Sequence, residues 1–160
     1  LILVTIGTQL PFDRLIREVD SVARCTDEEF FGQVGSGKYK PENFPYVDKL
    51  FPHEFEAKVK EARAIIGHAG IGTVLTGQKY NKPVILMPRM RKFHEHRNDH
   101  QVATASRLTD IAGVYIFQDA NSLLKILKLQ ELGSAVMDLR NRDSFVTNLR
   151  RELKLMTKGD

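Results

Sequence analysis

Tryptophan is absent and cysteine occurs once, at Cys25. One thiol cannot close an internal disulfide, so a disulfide framework is excluded and a reducing, cytoplasmic compartment is the simplest expectation. Glycine and proline are too few and too scattered for a collagen-like or low-complexity chain. Long apolar runs are missing as well: nothing approaches the ~18 consecutive apolar residues of a membrane span. The opening run 1–6 has no basic region before it and reads as a strand, not a leader. What is present, 42% hydrophobic and 28% charged residues over 160 positions, describes one soluble globular domain spanning 1–160. Such a length builds one core. An active site that needs two lobes is therefore expected to take the second from another chain.

Basic residues exceed acidic ones by four, and the excess is concentrated. Lys82, Arg89, Arg91, Lys92, Arg97 and Arg107 stand against only Glu95 and Asp99, with His94, His96 and His100 in the same stretch. Read as a solvated face, this is unremarked surface; read as a site, it suits a phosphate or an acidic membrane surface. Nucleic acid is disfavoured, since Phe93 is the one aromatic in the stretch and no binding module is recognisable.

Hydrophobic periodicity alternates along the chain. Strands are expected at 1–6, 29–34, 46–51 (interrupted by Pro52), 64–66, 84–87 and 114–117. Helices are expected at 12–23, with Asp13 or Thr8 helping to cap it, and at 54–62, 73–80, 98–108 and 122–129. Alternating strands and helices predict a parallel sheet with helices on both faces. A C-terminal amphipathic helix is expected at 144–157, its stripe of Phe145, Val146, Leu149, Leu153 and Met156 packing back on the sheet or docking on a partner or membrane.

The strongest local motif is Gly67-His-Ala-Gly-Ile-Gly-Thr73, where a strand breaks into glycines at the start of a helix. Free N–H groups and the helix dipole at such a turn favour a phosphate, and His68 adds a polar group with little structural purpose there. The order GxxGxG is not the dinucleotide fingerprint, and no acidic residue follows at the ribose position. Gly35-Ser-Gly-Lys38 lacks the phosphate-loop spacing and reads as a turn. His96 and His100 stand i, i+4, yet no HExxH register forms, so no metal is expected. No nucleophile–base arrangement and no paired carboxylates are apparent. The chain offers anion-binding machinery without a general base.

These motifs carry a resemblance. The segments Val4-Thr-Ile-Gly-Thr-Gln-Leu-Pro-Phe-Asp-Arg-Leu15, Gly67 to Thr73, Lys82-Pro-Val-Ile-Leu-Met-Pro-Arg89 and Glu95-His-Arg-Asn-Asp-His-Gln101 resemble the C-terminal domain of glycosyltransferase family 28. More closely, the chain is similar to the stand-alone donor-binding subunits of bipartite glycosyltransferases. These include the bacterial exopolysaccharide and capsule subunits and the eukaryotic subunit that helps add the second N-acetylglucosamine to a dolichol-linked oligosaccharide. The resemblance implies a Rossmann-like parallel sheet, equivalent to the C-terminal half of a two-lobed (GT-B) transferase.

By the same resemblance, Gly7 and Thr8 lie near the donor phosphates, and the backbone of Leu50-Phe51-Pro52 reads a uracil edge. His68, Gly70, Gly72 and Thr73 hold the pyrophosphate; Asp99, His100 and Gln101 meet the transferred sugar. Thr76 stands where many relatives carry a glutamate for the ribose hydroxyls, a departure that loosens the expected ribose contact. The implied activity is inverting transfer of a hexose from a UDP-sugar to a polyprenyl-diphosphate-linked acceptor in polysaccharide biosynthesis, without metal or other cofactor. A membrane-anchored partner subunit would carry the acceptor site and the base, and would recruit this cytoplasmic chain to the membrane. The alternative is a non-catalytic nucleotide-sugar-binding or enhancer subunit of a partner transferase.

Overall fold

The computed structural model describes residues 1–7, 10–95 and 100–136, and of His100 and Ala103 the backbone only. Among the described residues, strands and helices alternate. The order is β1 (Ile2–Thr5), α1 (Asp13–Ala23), β2 (Phe30–Gln33), β3 (Tyr46–Val47), α2 (Pro52–Glu61), β4 (Ala64–His68), α3 (Ile71–Lys79), β5 (Val84–Met87), α4 (His100–Leu108), β6 (Val114–Ile116) and α5 (Ala120–Leu127). A 3-10 turn, Arg91–Phe93, precedes α4. The strands make one all-parallel sheet in the order β3-β2-β1-β4-β5-β6.

The central strands are apolar at nearly every position because both of their faces are covered. Ile2 and Val4 of β1, Ile66 of β4 and Ile85 and Met87 of β5 pack against Leu15, Ile16 and Val19 of α1 and Leu123 of α5. The alternate residues point the other way: Val84 and Leu86 meet Val74 of α3 and Leu108 of α4, while Leu3 and Ile65 meet Val59 of α2. Each such aliphatic side chain, fully withdrawn from water, contributes on the order of 1.5–3 kcal/mol. The strand order reverses between β1 and β4, so the loops leaving their carboxyl ends diverge and open a crevice there.

Element boundaries differ from expectation where a residue was read as a breaker. The third strand is two residues long, because Leu50 turns its N–H to the Gln33 side chain (2.9 Å) instead of continuing the ladder. Pro52 does not interrupt a strand; it opens α2 at the first helical turn, where its missing N–H costs nothing. Glu54 reaches back to the Phe51 N–H (2.8 Å), half of a capping box. Helix α3 likewise starts inside the glycine motif, at Ile71, with Gly70 as its N-cap. Helix α1 has no side-chain cap; the Asp13 carboxylate instead accepts the Lys38 N–H (3.2 Å) and fastens the Gly35–Lys38 turn along the helix. Thr8 and the expected helix 144–157 lie outside the described residues.

Candidate functional site

A cavity of about 610 Å³ opens at the carboxyl edge of the sheet, on the side covered by α2 and α3. The ends of β1, β2 and β4 supply Thr5, Gly7, Gln33 and His68; the segment entering α2 supplies Lys49, Leu50 and Phe51; the start of α3 supplies Gly72, Thr73 and Thr76. Pro52, Phe55 and Ile65 make the rest of the wall. The lining is mostly apolar, with a few polar groups converging from different loops, the usual composition of a small-ligand site.

Two glycines make room for His68. Gly7, at φ +79°, carries the chain over the imidazole, and a methyl group on it would stand 3.0 Å from His68 Cε1. A methyl group on Gly70 would come to 2.5 Å from His68 Nε2. Any side chain at either position would displace the ring. Gly72 is different: nothing lies within 4 Å of the place its Cβ would take, so the backbone of the first turn of α3 is open to a ligand. Ile71 and Gly72 have N–H groups without intrahelical acceptors, at the positive end of the helix dipole. Thr76, one turn on, donates its hydroxyl to the Gly72 carbonyl (2.8 Å).

The opposite wall is organised by Gln33, which is buried. Its Oε1 accepts the Leu50 N–H and its Nε2 donates to Thr5 Oγ1 (3.4 Å), tying three strand ends together. The N–H groups of Leu50 and Phe51 are thus both engaged by side chains, and Pro52 has none. Phe51 is 69% exposed and stacks on His53. Any backbone recognition by this segment falls to carbonyl oxygens, flanked by an aromatic face and by Lys49.

Among the described residues, no basic residue of the stretch 82–107 lines the cavity. Lys82 donates to the Lys60 carbonyl (2.7 Å), just ahead of β5 and thus at the far end of the sheet. Arg89 is buried, 2% exposed. Its guanidinium donates to the carbonyls of Leu10 (2.8 Å), Pro11 (2.6 Å), Ile6 (3.2 Å) and Glu95 (3.4 Å) and lies over the Phe12 ring. Burial pulls its pKa down to about 10, which leaves it charged at neutral pH. Arg14 grips the Glu95 carboxylate through two nitrogens (2.7 and 2.8 Å) and donates to the Pro88 carbonyl (2.8 Å). The arginine nearest the strand ends is therefore a clasp between the loops after β1 and β5.

Of the residues singled out in the sequence, Gly7, Phe51, His68, Gly72, Thr73 and Thr76 share the cavity wall. Gly70 packs behind His68. Gln101, on α4, accepts the Arg89 backbone N–H through Oε1 (3.1 Å), beside the end of β5. Thr8, His96, Asp99 and the His100 side chain lie outside the described residues. Gln33 and Lys49 were missed; the one available signal, the place of β2 beside β1, exists only once the strands are ordered. Among the described residues there is no His/Cys/Asp/Glu group suited to a metal ion, and no helix long and apolar enough to cross a membrane.

An all-parallel sheet in this order, with its cavity where the order reverses, is a Rossmann-like domain. The profile of the glycosyltransferase family 28 C-terminal domain matches residues 1–144, and the chain belongs to that family. Solved structures agree on the fold. The glycotransferase of kitacinnamycin superposes with a TM-score of 0.61 at 18% identity, over 96% of this chain and 39% of that one. MurG of Acinetobacter baumannii gives 0.56 at 21% identity, over 78% and 39%. The calicheamicin glycosyltransferase CalG4 gives 0.54 at 19%, over 78% and 32%. The chain thus spans a third to two-fifths of these proteins and corresponds to the C-terminal half of a GT-B glycosyltransferase. No curated protein sequence gives a significant match.

Proposed function

We propose that this chain is the donor-binding lobe of an inverting glycosyltransferase, taking a hexose from a UDP-sugar. The observation that carries the reading is that one cavity holds His68, the open N-terminal turn of α3 and the exposed Phe51. A nucleoside diphosphate needs donors for its diphosphate, which His68 and the helix turn would supply, and a face for its base, which Phe51 would supply.

In this reading the diphosphate meets the Ile71 and Gly72 N–H groups and the His68 imidazole. As the bond from the sugar C1 to the diphosphate oxygen breaks, charge grows on the leaving group. These fixed donors stabilise that charge more than they stabilise the intact donor, which is what lowers the barrier. The acceptor hydroxyl attacks C1 from the opposite side, and its proton passes to a base on another lobe. Asp99, His100 and Gln101 are proposed to meet the transferred sugar, and Thr76 to offer the ribose a hydroxyl oxygen in place of a carboxylate. At the Leu50–Phe51 segment, a backbone carbonyl is proposed to accept the imide N–H of a uracil ring. No metal or other cofactor enters the scheme; the two-fold positive demand of the diphosphate falls on the helix turn and His68.

The complete activity extends beyond this chain. A membrane-anchored partner subunit is proposed to bring the polyprenyl-diphosphate-linked acceptor and the base, recruiting a cytoplasmic chain to the membrane for polysaccharide synthesis. Calorimetric titration with UDP, CDP, GDP, ADP and NAD at one salt concentration tests the donor assignment. UDP is expected to bind best, and equal affinities across the panel would defeat it.

A further inference from the structure

The Ile6–Gly7 peptide is held at both of its polar atoms. Arg89 Nη2 donates to the Ile6 carbonyl (3.2 Å), and the Gly7 N–H donates to Thr5 Oγ1 (3.4 Å). Immediately after this peptide the backbone takes φ +79° and passes against the imidazole of His68. The same guanidinium binds the carbonyls of Leu10 and Pro11, so it fixes the far end of the loop as well. Arg89 is itself fixed: its backbone N–H is held by Gln101, its guanidinium rests on Phe12, and it does not line the cavity.

We propose that Arg89 is a positioning residue for the anion-binding end of the cavity, acting through the Ile6–Gly7 peptide on the imidazole of His68. Its planar fork, with donors aimed at carbonyls from two directions, sets where the loop after β1 crosses the ring. An ammonium on a flexible stem cannot satisfy those carbonyls in the same geometry. The consequence for ligand affinity rests on the donor-lobe reading; the consequence for His68 does not.

Arg89→Lys, observed by proton–carbon NMR at His68 Cε1, tests this on the free protein, with the signal assigned by its loss in His68→Ala. The lysine variant is expected to stay folded, to shift the His68 signal and the Gly7 amide, and to bind UDP about tenfold more weakly. Tyr39→Phe, at a side chain that bonds Asp20 of α1 and does not line the cavity, controls for general loss of stability and is expected to move neither signal. Should Arg89→Lys not fold, Thr5→Val removes the other anchor of the same peptide and must shift His68 in its place. An unmoved His68 signal in a folded variant overturns the positioning role, and so does a shifted signal with UDP affinity intact. Failure of the unaltered chain to bind UDP would instead defeat the donor reading, with the His68 signal still deciding the role of Arg89.

Discussion

The loops leaving β4 and β5 begin one strand apart at the same edge of the sheet and do opposite things with their polar groups. After β4, the glycine loop carries little charge and leaves the first turn of α3 open to the cavity. After β5, the arginine loop carries more charge but turns Arg89 inward onto four carbonyls and sets Glu95 on Arg14, leaving Arg91 and Lys92 exposed. On the proposed reading, charge density along a sequence is a poor pointer to where an anion binds, and backbone N–H groups at a helix start, kept open by glycine, are the better one. The arginine loop serves the glycine loop by fixing what stands against it.

The contrast breaks most visibly at Arg89. Arg89→Ala would leave four carbonyls around an emptied site and is expected to cost about 3–5 kcal/mol in denaturant unfolding. A cost under about 1 kcal/mol would show that the clasp is ornamental. Next is His68→Ala, which is expected to keep the fold and, on the proposed reading, to remove a donor from the leaving diphosphate. In a complex reconstituted with the proposed membrane subunit, transfer is expected to fall about 100-fold, or about 2.7 kcal/mol. Undiminished transfer would favour a merely enhancing subunit. Phe51→Ala removes the exposed face at the other wall and is expected to weaken UDP binding roughly five- to tenfold without changing stability.

Smaller effects sharpen the comparison. The Tyr39 hydroxyl donates to the Asp20 carboxylate (2.6 Å), a structural latch at α1 that does not line the cavity. That bond, with burial, raises the Tyr39 pKa from 10.0 to about 12. The neutral phenol is favoured in the folded state, so its stabilisation is complete below pH 10 and is lost as pH rises from 10 to 12. Burial pushes Asp20 upward, but the Tyr39 hydroxyl and the Asn43 and Glu42 N–H groups outweigh it and hold the carboxyl below its usual range. Asp20 therefore stabilises the fold above that range and ceases to as acid protonates it. Tyr39→Phe is expected to cost about 1 kcal/mol at neutral pH and to flatten the alkaline limb of a pH–stability curve. Smallest of all is Lys92→Ala on the exposed side of the arginine loop, expected to change UDP affinity less than twofold.

Most of the architecture was legible because buried parallel strands announce themselves as short apolar runs, as at 84–87, and because 12–23 repeats with helical period. What misled were residues with two uses. Pro52 and Gly70 break one element by starting the next, and only the backbone shows which. Asp13 looked like a helix cap and is a tether for the turn at Lys38. The cavity was half legible: His68 and its glycines are contiguous in sequence, whereas Gln33 and Lys49 arrive through strand order, a long-range property. Arg89 was misread for a physical reason. An arginine after a buried strand looks the same in sequence whether its guanidinium meets a ligand or the protein's own carbonyls.

A diphosphate is proposed to be held by His68 and the start of α3 and not by the arginine loop. This is tested most directly by comparing UDP with UMP in calorimetric titrations of the unaltered chain, His68→Ala and Lys92→Ala. UDP is expected to bind the unaltered chain at least tenfold more tightly than UMP, His68→Ala to erase most of that margin, and Lys92→Ala to keep it. A margin that survives His68→Ala, or that disappears with Lys92→Ala, would contradict the proposal.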